Sequence, residues 1–147
     1  MTYNRNAMRL LFVADGRAPI AQNWIRYFVE RGDKRSGAIG AMDEVYLAST
    51  FACQNELDFP LKGLEIIPVA FSGFKKETRR PGTAPARTVG LRTAIRQWFG
   101  PLTIRRAAQR LREFIERVKP DLIHAMRIPY EGMMSADACA GIPVIVS

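Results

Sequence analysis

The chain has 147 residues, of which 48% are hydrophobic, and its formal charge at pH 7 is +8. This length suits one domain, which would bury about 68–70% of the surface that its unfolded chain exposes. The longest apolar runs, such as residues 10–14, are far shorter than the ~20 residues of a membrane-spanning helix. They are also too short for the core of a secretory signal. We therefore expect a cytoplasmic protein with one buried core.

The first predicted unit is a strand, a turn and a helix. Residues 1–7 are polar and are expected to form a disordered extension. Residues 8–14 are almost continuously apolar, which is typical of a strand covered on both faces. After the turn, residues 19–31 form an amphipathic helix, and Gly32 is its expected end. The apolar positions of this helix recur at helical spacing: Ile20, Trp24, Ile25, Phe28 and Val29.

Two further strands are predicted before the middle of the chain. Residues 44–49 form the second strand, after a loop over residues 33–42. Residues 64–70 form the third, and Pro68 would lie inside it. Proline removes a backbone donor from the sheet, so this strand is expected at an edge.

Most of the positive charge lies in one segment. Residues 71–119 contain 13 Lys and Arg against 3 Glu, while the rest of the chain contains 9 basic and 11 acidic residues. Residues 72–90 are expected to be a mobile basic loop. This charge has three possible interpretations: a solvated helix face, a patch that binds anionic lipid, or a surface that binds nucleic acid. The third is disfavoured because the sequence contains no nucleic-acid recognition module. The membrane reading rests on Lys75, Lys76, Arg79, Arg80, Arg92, Arg96 and Trp98.

The last third of the chain repeats the helix and strand alternation. We predict a short helix over 91–99, a longer one over 101–118, a strand over 121–125, a helix over 129–140 that stops at Gly141, and a strand over 143–147. This alternation predicts an α/β, Rossmann-like, doubly wound parallel sheet of order 3-2-1-4-5 in three α/β/α layers. Because the sequence stops at the fifth strand, we expect a piece of a longer protein.

The candidate site lies where the first and fourth strands end. Ligands of such sheets bind outside the carboxyl ends of the strands, at the point where the strand order reverses. Asp15, Gly16 and Arg17 should therefore face His124 and Arg127 across one crevice. The two arginines suit a phosphate or a carboxylate, or else they are solvated loop residues. His124 is a ligand-contacting residue or a structural histidine, and Glu131 contacts substrate or only favours the dipole of its helix.

Several common cofactor and metal motifs are absent from the sequence. The loop after the first strand has Gly16 but no Gly-X-Gly-X-X-Gly pattern, and no Gly-Lys-Ser/Thr phosphate loop occurs. We therefore predict no nicotinamide or flavin cofactor. Cys53 and Cys139 have no metal-ligand spacing and are expected to be free thiols, so no metal is predicted.

Four stretches together resemble a known family. They are residues 8–20 (MRLLFVADGRAPI), 23–28 (NWIRYF), 44–49 (EVYLAS) and 119–132 (KPDLIHAMRIPYEG). In this order they resemble the N-terminal domain of group 1 (family 4) glycosyltransferases of the GT-B fold. The likeness spans residues 8–147, and the segments at 119–124 and 15–17 are its most specific parts.

The resemblance implies a retaining enzyme that moves a sugar from a nucleotide-sugar donor to an acceptor held mainly by this domain, usually without a metal. The acceptor would be an envelope component, a lipid-linked molecule or a saccharide, and the protein would be cytoplasmic or peripheral to the membrane. The family's donor half carries two glutamates eight positions apart, which no pair here matches. The chain alone should therefore be inactive. Residues implied to line the cleft are Asp15, Gly16, Arg17, His124, Arg127, Tyr130 and Glu131.

A non-catalytic flavodoxin-like binding or regulatory module is the alternative. Asp15 lies where receiver domains keep acidic residues. Those domains also need a phosphorylatable aspartate after the third strand, and this chain has Val69-Ala70-Phe71 there.

Overall fold

A computed structural model describes residues 8–35, 44–53, 57–69 and 104–147. The expected extension over 1–7, the basic loop over 72–90, the short helix over 91–99 and the proposed membrane patch lie outside these residues.

The described residues form a five-stranded parallel sheet. Its strands are β1 (Arg9–Ala14), β2 (Glu44–Ser49), β3 (Gly63–Ile66), β4 (Leu122–Ala125) and β5 (Val144–Val146), in the order β3-β2-β1-β4-β5. The predicted α/β fold and strand order are therefore confirmed. β1 lies at the centre because its run of apolar residues suits a strand that is covered on both faces, and four of its residues are paired on both sides.

Helices cover both faces of the sheet. Helix α1 (Pro19–Arg35) follows β1, and helix α2 (residues 104–118) precedes β4. A π-helical turn (Ile128–Gly132) follows β4 and continues into helix α3 (Met133–Ala138). Two hydrophobic clusters result: Phe12 and Leu47 pack with Ile25 of α1, whereas Leu11 and Ile123 pack with Leu111 of α2.

The predicted face of α1 is only partly correct. Ile25 is fully buried, but Ile20 is 74% exposed and Trp24 is 48% exposed. On the same face of the sheet, Ile145 of β5 is 49% exposed, beside its partner His124. Ile20 and Trp24 are thus exposed on the α1 side of the sheet. Gly32 also does not end α1, which continues to Arg35.

The third strand was predicted over residues 64–70, which runs too far toward the C-terminus. β3 covers Gly63–Ile66, so Pro68 lies beyond its end and does not confine it to an edge. β3 is nevertheless at the edge of the sheet, because it pairs only with β2.

Two backbone features place the ends of the later helices. Lys119 has a φ of 51°, and its N–H donates to the carbonyl of Ile115 at 2.7 Å before Pro120 follows. Helix α3 ends at Ala138, two residues before the predicted end, and Gly141 has a φ of 87° that favours glycine. The chain thus turns sharply from α2 into β4 and from α3 into β5.

Candidate functional site

Three loops meet at the carboxyl edge of the sheet, because β2, β1 and β4 are adjacent and parallel. They are the loop after β1, the loop after β2, and the loop after β4 with the π-helical turn. Backbone hydrogen bonds set their relative positions: the N–H of Thr50 donates to the carbonyl of Ala14 at 3.0 Å, and that of Met126 to the carbonyl of Val13, also at 3.0 Å. Side chains from loops that are adjacent in the sheet therefore lie close enough to contact one another.

Asp15 joins the two arginines predicted to share one crevice. Its Oδ1 accepts from the backbone N–H and from Nε of Arg17, each at 3.1 Å. Its Oδ2 lies 3.3 Å from Nη2 of Arg17 and 3.3 Å from Nη2 of Arg127. The loops after β1 and β4 therefore lie on the same edge of the sheet, as the predicted topology requires.

The ionisation of Asp15 follows from these contacts. Burial acts to raise the pKa of Asp15, but the hydrogen bonds from Arg17 and the charges of Arg17 and Arg127 outweigh it. The pKa of this carboxyl therefore lies below its ordinary value. Asp15 is a stable anion at neutral pH, suited to holding guanidinium groups.

Glu131 is the second carboxylate of this edge, and it is only 3% exposed. Its Oε1 accepts a hydrogen bond from Oγ1 of the buried Thr50 at 3.1 Å and lies 3.5 Å from Nη2 of Arg127. Arg127 thus bridges two carboxylates: Asp15 from the loop after β1, and Glu131 from its own loop, four residues later. We call Asp15, Arg17, Thr50, Arg127 and Glu131 the rim cluster.

The π-helical turn places Glu131 in the rim cluster. The N–H of Gly132 donates to the carbonyl of Arg127, five residues earlier, at 2.7 Å, which is the hydrogen bond of a π-helix. Pro129 suits the start of this turn because it lacks an N–H that would need a partner. Glu131 and Gly132 are the buried residues of the turn.

Gly16 supports the cluster through packing. It is buried, and its N–H donates to Oγ of Ser49 at 3.0 Å while its carbonyl accepts from Gln22 at 2.9 Å. A side chain here would collide with Cys53 and Ser49. Gly16 is therefore a residue of close approach between the loops after β1 and β2.

Phe51 adds an aromatic surface next to the rim cluster. The guanidinium carbon of Arg17 lies 3.6 Å from the centre of the Phe51 ring, which is a cation–π distance. Thr50 and Phe51 were not predicted as site residues. The sequence feature that could have identified them is the Ser49-Thr50 pair, which lies at the end of a strand that neighbours β1.

His124 lies away from the rim cluster. Its ring packs against Phe12, with centroids 5.4 Å apart, and against Trp24, at 6.3 Å. Its Nε2 is 3.0 Å from Oγ of Ser147 at the end of β5. His124 and Phe12 are register partners, so both face α1. Tyr130 is partly buried and packs against the cluster under α2 and α3.

His124 gives a testable pH dependence, because it is the only histidine in the chain. Burial lowers the pKa of His124 below 6.5. The unfolded chain therefore binds this proton at higher pH than the folded chain. The free energy of unfolding should fall as pH drops from about 6.5 through the lowered native pKa. Urea unfolding at successive pH values would measure this, and His124→Gln should remove the slope. A free energy of unfolding that rises over the same interval would contradict the buried ring.

A separate groove lies between α2 and α3, with a volume of about 360 Å³. Nη2 of Arg112 donates to the carbonyl of Asp137 at 2.6 Å within it. Its lining carries charges of both signs: Arg105, Gln109, Arg112, Glu113, Glu116 and Asp137. The mixed charge gives no preference for an anion or a cation.

Two observations bear on metals, cysteines and membranes. In the described ranges, neither Cys53 nor Cys139 forms a disulfide, and no group of three or more His, Cys, Asp or Glu is placed to hold a metal ion. None of the helices in this part of the chain is long and apolar enough to cross a bilayer.

Comparisons with protein-family models, with curated proteins and with solved structures give no match for this chain.

Proposed function

We propose that this chain is the acceptor-binding, N-terminal domain of a retaining glycosyltransferase that uses a nucleotide-sugar donor. The observation that carries the proposal is the contact of Arg127 with Asp15 across the β1–β4 boundary. This boundary is where the strand order reverses, and α/β sheets bind ligands there. The resemblance of residues 8–20 and 119–132 to this enzyme family supplies the chemistry.

The rim cluster suits binding more than bond cleavage. Asp15 already accepts hydrogen bonds from Arg17 at both oxygens, and a carboxylate whose pKa is lowered is a weak base. The cluster would position an acceptor, while the donor nucleotide would be bound by a second domain. An envelope, lipid-linked or saccharide acceptor fits this arrangement, and an anionic membrane surface remains a proposed partner of the basic segment.

The regulatory-module alternative is less well supported by the same residues. Receiver-type modules use acidic residues after β1 to hold a cation. Here Asp15 is bound to two guanidinium groups, and Glu131 contacts one of them, that of Arg127. The charge around Asp15 is thus already balanced by arginine.

The proposal is tested by measuring the transfer of radiolabelled sugar from UDP-, GDP- and ADP-sugars to lipid and saccharide extracts. We expect transfer by a protein in which this chain is joined to a donor domain, and none by the 147-residue chain. Arg127→Ala should reduce transfer at least tenfold, while Arg106→Ala, on the exposed face of α2, should not. Transfer by the chain alone, or by neither protein, would overturn the domain assignment.

A further inference from the structure

Two side chains of the rim cluster, Glu131 and Arg127, have hydrogen-bonding atoms without a partner among the described residues. Oε2 of Glu131 accepts no hydrogen bond from the described residues, although the side chain is 97% buried. Nε and Nη1 of Arg127 likewise have no described partner, and this side chain is 51% exposed. Ser135 is the one described residue with a side-chain oxygen that is both fully enclosed and unpartnered. Oε2 of Glu131, which has no such partner, is therefore not fully enclosed, and its carboxylate lies against Arg127.

This pair matches the hydrogen bonding of a hydroxyl group. A hydroxyl donates one hydrogen bond and accepts others. Its O–H would donate to Oε2 of Glu131, and its oxygen would accept from Arg127. Both would be charge-assisted bonds, which are stronger than those between neutral groups.

The charges of the described residues disfavour an anion at the same place. The rim cluster contains two guanidinium groups and two carboxylates, so its formal charges cancel. Each arginine already faces a carboxylate: Arg17 pairs with Asp15, and Arg127 with Asp15 and Glu131. A phosphate or carboxylate beside Arg127 would add a third negative charge within a few ångströms of the other two. From the sequence alone, a phosphate or a carboxylate was a possible ligand of the two arginines.

We infer that Glu131 and Arg127 form a recognition site for a hydroxyl group of a neutral sugar, and that the rim cluster selects neutral saccharides over acidic ones. Thr50 is a positioning residue in this scheme, because its hydroxyl holds Oε1 of Glu131 and leaves Oε2 free for the ligand. The inference rests on the proposed function, whose acceptor it describes as a neutral saccharide at this site.

Ligand-detected NMR on the 147-residue chain tests this with matched probes: the methyl glycosides of glucose, galactose and mannose, the methyl glycosides of the corresponding uronic acids (the uronates), and inorganic phosphate. We expect at least one neutral glycoside to bind several-fold more tightly than its uronate and than phosphate. The uronate differs from the glycoside only by a carboxylate at C6, so the ratio isolates the effect of charge.

Glu131→Gln keeps the shape of the side chain and removes one negative charge. It should weaken binding of the neutral glycoside about tenfold, since one charge-assisted hydrogen bond becomes neutral. It should also strengthen binding of the uronate. Glu113→Gln, an exposed glutamate of α2, is the matched control and should leave both affinities unchanged. Arg127→Gln should also weaken binding of the neutral glycoside, because it removes the guanidinium that donates a hydrogen bond to the hydroxyl oxygen. It therefore tests the same site independently of Glu131→Gln.

The inference is overturned if uronates or phosphate bind the unmodified chain as tightly as the neutral glycosides, if no glycoside binds, or if Glu113→Gln has the same effect as Glu131→Gln. If this test fails but the two-domain protein transfers sugar from a nucleotide-sugar, the domain assignment still stands. Absence of transfer would remove the domain assignment whatever the glycosides do.

Discussion

Replacing Gly16 with alanine should destabilise the protein by about 1–3 kcal/mol, the usual cost of inserting a methyl group into a packed interior. A Cβ atom at this position would lie 2.4 Å from Sγ of Cys53 and 2.9 Å from Oγ of Ser49. Both side chains are buried, so neither can move into solvent. The loop would have to lift away, and the hydrogen bond from the Gly16 N–H to Ser49 would be lost. Urea unfolding monitored by circular dichroism measures the change.

A second substitution distinguishes this collision from other effects of alanine. Cys53→Ala removes the nearest atom and should cost about 1 kcal/mol by itself. In the Gly16→Ala background, however, it should restore part of the lost stability. Cys139→Ala, at a half-buried thiol in another part of the fold, should not restore it. If Gly16→Ala costs the same with and without Cys53, the close approach is not the cause.

Replacing Arg127 with methionine should destabilise the protein by about 1–3 kcal/mol, because the buried Glu131 would lose its counter-charge. Arg127 is half exposed, so solvent screens part of the interaction and keeps the loss below that of a fully buried pair. Glu131→Gln in the same chain should recover part of the stability, since a neutral amide needs no counter-charge. Chemical unfolding of the four proteins gives the coupling energy directly.

The exposed pair of Arg117 and Glu65 is the control for this experiment. Nη2 of Arg117 lies 2.8 Å from Oε2 of Glu65, but the two side chains are 64% and 36% exposed. Surface pairs of this kind contribute about 0–1 kcal/mol. Arg117→Met should therefore change stability less than Arg127→Met, despite the shorter distance. The opposite ranking would mean that the burial of Glu131 does not determine the energetics of the rim cluster.

Most of the fold was predictable because the strands are marked by short apolar runs. Residues 8–14 and 44–49 lack the spacing of a helix, and each is bounded by polar or glycine-containing segments. The strand order then followed from the alternation of strands and helices. β3 was predicted to run too far because Ile67 and Val69 continue the apolar residues of the strand, although pairing with β2 stops at Ile66. Apolar composition alone does not mark where backbone pairing ends.

The site was predictable in position but not in detail. Parallel topology brought Arg17 and Arg127 to one edge, and the structure joins both to Asp15. The direction of His124 depends on its register with Phe12, which cannot be read from one sequence. The burial of Glu131 depends on the π-helical turn, for which the sequence offers only Pro129 and Gly132. Thr50 was missed because its role appears only once Glu131 is placed.

The most direct test of the whole account is to locate where a neutral glycoside contacts the chain, by following backbone amide shifts in a ¹H–¹⁵N NMR titration. We expect the largest shifts on Gly16, Arg17, Thr50, Arg127 and Glu131, which come from three separate loops at the carboxyl edge of the sheet. Shifts centred instead on Glu44, Lys62 and Asp121, at the opposite edge, would contradict it.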